Sequence, residues 1–179
     1  EKDVPLLDAI RRQAAKAEHI SSVDFAFHAV IMDPKESVFE EVRHLPEVGV
    51  ATLKLFMAYK GTSFYCDDEA ILNAMMRAKE AGVTMMVHAE NADIITILTN
   101  HYLSQGKTSP VYHYHARPPI AEEEATGRAI ALAKAADCPL FVVHVSAKEA
   151  MEAIREAHNQ GWPIFGETCT HYLTLTTDY

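Results

Sequence analysis

The sequence predicts an α/β fold of about five consecutive strand and helix units, with a parallel sheet buried on both faces. Two observations carry this expectation. Short, near-continuously apolar runs rich in β-branched and aromatic residues alternate with longer segments of helical period, the pattern of a sheet covered by crossover helices. Three of the runs, at residues 50–61, 83–88 and 139–144, each carry one side chain of ligand chemistry, Lys54, His88 and His144, in otherwise apolar surroundings.

Leu6, Leu7, Ile10 and Ala14 recur at helical spacing, so residues 5–19 read as an amphipathic helix. Residues 23–31 read as a strand ended by Asp33 and Pro34, and residues 37–45 as a short helix stopped near Pro46. Gly49 precedes the Lys54 strand, and residues 61–63 form a loop. Asp67 or Asp68 caps a helix whose apolar positions Ile71, Leu72, Met75, Met76 and Ala78 share a face and which ends at Gly82. The His88 strand follows at once. Residues 91–105 are again helical, with Gly106 as the C-terminal cap, and residues 107–119 read as a loop. Residues 122–136 are a helix with an acidic first turn and Lys134 in its last, the arrangement the helix dipole favours. After the His144 strand, Ser146 and Glu149 have capping-box spacing for a helix closed by Gly161, and residues 163–169 read as one more strand.

Five strands fall short of the eight strands and about 250 residues of a (β/α)8 barrel, so periodicity leaves an open doubly wound sheet and an incomplete barrel both standing. In either, ligands collect at the carboxyl ends of the strands. Tyr59, His88 and His144 fall there, with Lys54 a little deeper.

Composition bounds the function. At 179 residues and 49% apolar content the chain can bury one substantial core. A net charge of -9 without a basic cluster argues against nucleic-acid or anionic-membrane surfaces and leaves small molecules or copies of the chain as partners. Cys66, Cys138 and Cys169 are odd in number and form no C-x-x-C, which fits reduced thiols in a cytoplasmic protein. No apolar run approaches the roughly 20 residues of a membrane span, and the charged start Glu1-Lys2-Asp3 is unlike a signal peptide. Phosphate-binding glycine loops and the G-x-S-x-G elbow are absent from the sequence.

An ammonium among apolar side chains is costly unless it is paired or neutral. A neutral lysine can add to carbon dioxide, giving a carbamate with two oxygen donors. Two strand-end histidines supply nitrogen donors suited to zinc, and a bound metal would acidify water and polarise an amide carbonyl. Tyr59, just past the Lys54 strand, could donate to the developing oxyanion. Against this, a lone strand-end histidine is usually a hydrogen-bonded structural residue, and Lys54 could point its amine at a carboxylate. Only the three together, on successive strands, give the functional reading weight. His113 and His115 fit a surface or interface role better. Glu122, Glu123 and Glu124 read as a solvated helix start, and His28 and His171 as structural.

Several runs, taken in order, resemble a known family: Lys54-Leu55-Phe56-Met57-Ala58-Tyr59-Lys60, Val87-His88-Ala89-Glu90-Asn91, Arg117-Pro118-Pro119 with Glu124-Ala125-Thr126-Gly127-Arg128-Ala129, Val142-Val143-His144-Val145-Ser146, and Gly166-Glu167-Thr168-Cys169-Thr170-His171-Tyr172-Leu173. The chain resembles the dihydropyrimidinase and D-hydantoinase family of cyclic amidohydrolases along nearly its whole length. The resemblance implies a metal-dependent TIM barrel that hydrolyses hydantoins or dihydropyrimidines to N-carbamoyl amino acids, commonly as a homotetramer. It implies that Lys54 is carboxylated and bridges two zinc ions, with manganese or cobalt as substitutes. His88 and His144 would bind one of those ions, and Tyr59 would hold the substrate and steady the oxyanion.

The family's first-strand H-x-H, its last-strand aspartate, the remaining barrel strands and a small β-sandwich have no counterparts in these residues. The expectation is therefore that residues 1–179 form a single central segment of the barrel, inactive by itself. Allantoinase is the neighbouring reading, and a non-catalytic dihydropyrimidinase-related scaffold protein is the reading from another class. The Phe56-Met57-Ala58-Tyr59 context disfavours the first, and retention of Lys54, His88 and His144 together disfavours the second.

Overall fold

The computed structural model describes residues 4–176. The elements in chain order are α1 (Leu6–Glu18), β1 (Ala29–Val30), α2 (Glu36–Val42), β2 (Thr52–Phe56), α3 (Asp68–Ala81), β3 (Thr84–His88), α4 (Ala92–Ser104), α5 (Val111–His115), α6 (Pro119–Ala136), β4 (Leu140–Val142), α7 (Lys148–Asn159) and β5 (Ile164–Gly166). Short 3-10 turns follow α2 at Pro46–Val48 and β5 at Thr170–Leu173.

Among the described residues the strands form one parallel sheet in the order β1-β2-β3-β4-β5. That order decides what periodicity could not. A doubly wound sheet reverses direction at a switch point, whereas strands added one beside the next, each returned by a helix, give barrel topology.

β2 shows how the sheet divides its residues. Leu53 and Leu55 are fully buried in the core, while Thr52, Lys54 and Phe56 occupy the alternate positions and are half-buried. The register sets Lys54 beside Met86 and Phe56 beside His88. The buried face of the sheet packs on Ile71, Ala74, Met75 and Ala78 of α3 and on Ala125, Ala129 and Ala133 of α6. Small residues along α6 let it lie close to both α3 and α7, where the chain makes much of its helix packing.

Several expectations shift. The strand expected over residues 23–31 shrinks to Ala29–Val30, which pair with Leu53 and Lys54, while β2 begins at Thr52 and gives the residues before them no further ladder partners. Val23 and Phe25 stay exposed. α6 begins at Pro119, three residues earlier than expected, with proline in the first turn where its missing N–H costs nothing. Met76 points away from the core and is exposed. Asp67, not Asp68, caps α3, accepting from the Ala70 N–H at 2.9 Å. Gly82 closes that helix at φ 69°, a conformation that favours glycine.

The thiols of Cys66 and Cys138 are buried, and burial pushes both up to about 11. An unfolded chain releases these protons near 9, the folded chain only near 11, so the folded state holds more protons between those values and stability falls as pH rises through them. We expect a loss of roughly 2–3 kcal/mol per thiol across that window, read by urea unfolding at stepped pH. Cys66→Ser/Cys138→Ser should flatten the decline.

Candidate active site

The site is assembled where β2, β3 and β4 end. His88 is the last residue of β3 and is buried. His144 lies two residues past β4, in a stretch that keeps contact with its neighbours through Val143 N–H to Val87 O and Val145 N–H to Glu167 O. The strand expected over residues 139–144 thus ends at Val142, and His144 instead takes a left-handed backbone at φ 43°. Tyr59, three residues past β2, is left-handed too, at φ 66°. Such a conformation is uncommon for residues other than glycine, and it concentrates at functional sites. In both loops it turns a side chain back over the strand ends.

His88 Nδ1 and His144 Nε2 face each other at 3.0 Å. The Tyr59 ring leans on the His88 ring, with centroids 5.3 Å apart. Lys54 Nζ stands 5.1 Å above the Phe56 ring. Among the described residues no carboxylate is within ion-pair distance of that amine, which removes the simple salt-bridge account of Lys54. Burial holds the Lys54 ammonium below its ordinary value, opposed by the Glu167 charge. Burial, then the neighbouring His88 and Lys54 charges, likewise hold His144 below the usual imidazole value.

A cleft of about 750 Å³ opens over the strand ends, within the size range of small-molecule sites. Tyr59, His88, Glu90, Arg117, His144 and Tyr172 line it; Lys54 does not, but its charge acts on His144. Residues that looked peripheral in the sequence also reach this cleft. Residues 107–119 are not all loop: α5 carries His113 and Tyr114 to the cleft wall, and the turn after β5 brings His171 there. Five residues are too few for periodicity to reveal a helix. His28 is not among the residues lining the cleft, and its Nδ1 lies 2.6 Å from Thr52 Oγ1.

The capping box also resolves differently. Ser146 makes no cap with Glu149, and Ala147 is the N-cap of α7. Glu122 of α6 accepts from Ser146 N–H at 2.8 Å, Ser146 Oγ at 2.5 Å and Ala147 N–H at 3.0 Å. One carboxylate from another helix therefore does the work of a cap and ties down the loop carrying His144. Glu122 is not a solvated residue, and neither is Glu124, which accepts from Asn91 and Arg128. Glu122→Ala should cost about 1–2 kcal/mol in urea unfolding, whereas Glu123→Ala should cost little.

Two ligand nitrogens about 2.0–2.1 Å from one tetrahedral zinc ion are about 3.3 Å apart. The 3.0 Å separation between His88 and His144 is close to that, and their donor chemistry suits zinc. Among the described residues, however, no group of three His, Cys, Asp or Glu side chains is placed to hold a metal.

Lys54 within β2, Tyr59 just past it, His88 at the end of β3 and His144 just past β4 thus gather toward one rim of a parallel α/β sheet. Comparison with known proteins gives the family. No family model matches the chain. The chain is 47% identical over 164 residues to D-hydantoinase of Streptomyces coelicolor, a match covering 92% of this chain and 35% of that protein. It is 40% identical over 173 residues to D-hydantoinase of Ralstonia pickettii, covering 97% and 38%. The crystal structure of dihydropyrimidinase from Brevibacillus agri superposes with a TM-score of 0.93 at 44% identity, covering 98% of this chain and 38% of that one. The chain belongs to the dihydropyrimidinase and D-hydantoinase family, and its five strand and helix units are part of that family's TIM barrel. It spans little more than a third of the length of those relatives.

Proposed function

We propose that this chain supplies the lysine and histidines that hold metal in a zinc-dependent cyclic amidohydrolase, one that opens hydantoin or dihydropyrimidine rings to N-carbamoyl amino acids. The observation that carries the proposal is the 3.0 Å approach of His88 Nδ1 to His144 Nε2 at a cleft walled by Tyr59, with His88 on the strand next to that of Lys54 and His144 just past the strand after it. The substrate is a small cyclic ureide or imide, and the assembled enzyme is a cytoplasmic homo-oligomer.

The residues divide the work as follows. The Lys54 amine, disposed to neutrality by burial, adds through its lone pair to the carbon of carbon dioxide, forming an N–C bond and releasing one proton to solvent. The resulting carbamate would offer two oxygen donors to metal. His88 and His144 would hold an ion through the nitrogens that face each other. When bound, zinc would acidify a water and polarise the scissile carbonyl, with manganese or cobalt able to serve in its place. The Tyr59 hydroxyl donates to the oxygen that gains charge as the ring opens. The cleft walls at Pro118, Pro119 and Tyr172 limit how the ring can lie. The H-x-H pair and the aspartate base that the resemblance implies have no counterparts among these residues, so the ring opening proposed is that of protein of the relatives' length carrying this sequence.

Turnover of hydantoin, dihydrouracil and allantoin, each offered to zinc-loaded protein of relative length carrying this sequence, tests the proposal. Ring opening of hydantoin or dihydrouracil, with allantoin left intact, is expected. Preferential opening of allantoin would move the assignment to allantoinase, and no turnover of any of the three would leave a scaffold.

A further inference from the structure

Glu90 stands behind His88 as seen from His144. Its Oε2 lies 2.6 Å from His88 Nε2, while the opposite ring nitrogen, Nδ1, faces His144. Arg117 Nε reaches the other Glu90 oxygen at 3.3 Å, and Arg117 Nη1 is 3.3 Å from His113 Nδ1 on α5. One line of polar contacts thus runs from His144 through His88, Glu90 and Arg117 to the helix at the cleft wall. The Glu90 and His88 side chains are only 16% and 11% exposed, so water competes little for these contacts.

We propose that Glu90, braced by Arg117, is a positioning residue that fixes His88 in the tautomer with hydrogen on Nε2 and the Nδ1 lone pair aimed at His144. A neutral imidazole has one N–H and one lone pair, and the partner of one nitrogen sets the state of the other. An ionised carboxylate only accepts, so Nε2 carries the hydrogen and Nδ1 is left as the donor to a metal. In the metal-free chain His144 Nε2–H then donates to His88 Nδ1. His144 must be the ring that moves its hydrogen, from Nε2 to Nδ1, for both facing lone pairs to become available. Its ring keeps one hydrogen throughout. His88 is preset and His144 adapts.

The value of this arrangement rests on the metal site proposed above, and the test separates the two. Nitrogen-15 NMR of the imidazoles in the metal-free 179-residue chain, at mildly alkaline pH, reads the tautomer directly. Zinc titration against a chromophoric chelator reads the consequence. His88 protonated at Nε2 in the unaltered chain is expected. Glu90→Ala should mix the tautomers and weaken zinc binding roughly 10–100-fold. Arg117→Met, which keeps the carboxylate but frees it, should move both readouts the same way by less, and it serves if Glu90→Ala fails to fold. His88 protonated at Nδ1 in the unaltered chain would overturn the proposal, as would a tautomer indifferent to both substitutions. An Nε2 tautomer that depends on Glu90 in a chain that binds no zinc would support the positioning role while rejecting the metal site.

Discussion

Lys54→Ala is expected to abolish uptake of carbon dioxide by the chain and to weaken zinc binding by about tenfold or more, equivalent to about 1.4 kcal/mol or more. The reason is chemical. His88 and His144 bring two nitrogens to within 3.0 Å of each other, but no third His, Cys, Asp or Glu among the described residues completes a site. The further donor proposed is built on the Lys54 amine, which makes no ion pair among the described residues that would compete for it. Intact mass after incubation with bicarbonate and zinc should show one added carbon dioxide in the unaltered chain and none in Lys54→Ala. Lys54→Arg should also gain none, since a guanidinium stays charged. Equal zinc binding by all three chains would remove Lys54 from the site.

Leu53→Ala carries the largest expected effect on stability. Leu53 is fully buried at the middle of the sheet, in register with Ala29 on one side and Met85 on the other. The flanking strands hold their spacing through backbone hydrogen bonds, so the space left by the lost methyl groups cannot collapse. The cost should be about 3 kcal/mol, lowering the unfolding midpoint by about 6–12 °C. Met76→Ala, at an exposed position of α3, should change stability by no more than about 0.5 kcal/mol. Comparable losses at the two positions would contradict the division of faces described for β2 and α3.

The residues differ in how far the sequence alone could place them, and the differences have physical causes. Lys54, His88 and Tyr59 were legible because each interrupts or ends a strong apolar strand, and strand-end residues of a parallel sheet can go only to one rim. Asp67 and Gly82 were legible because capping is a local interaction between near neighbours in the chain. The contacts that fix the site are of another kind. Glu122 caps α7 from 24 residues away, and Arg117 braces Glu90 from the end of α5. Nothing in the local pattern distinguishes such carboxylates from solvated ones, so Glu122 and Glu124 read as surface. β1 was overread for the complementary reason: Val23 and Phe25 have strand propensity, but propensity makes a strand only where a partner lies alongside. The choice between barrel and doubly wound sheet depended on strand order, which is a property of the fold and not of any run of residues.

The measurement that tests the central claim most directly is X-ray absorption at the zinc edge of the zinc-loaded, bicarbonate-treated chain. The account predicts two imidazole nitrogens at about 2.0–2.1 Å with oxygen completing the shell, and loss of the imidazole signal in His88→Ala/His144→Ala. Sulfur at about 2.3 Å would show the ion held by cysteines instead, and that result, or an imidazole signal unchanged in the double variant, would contradict the site assigned to Lys54, His88 and His144.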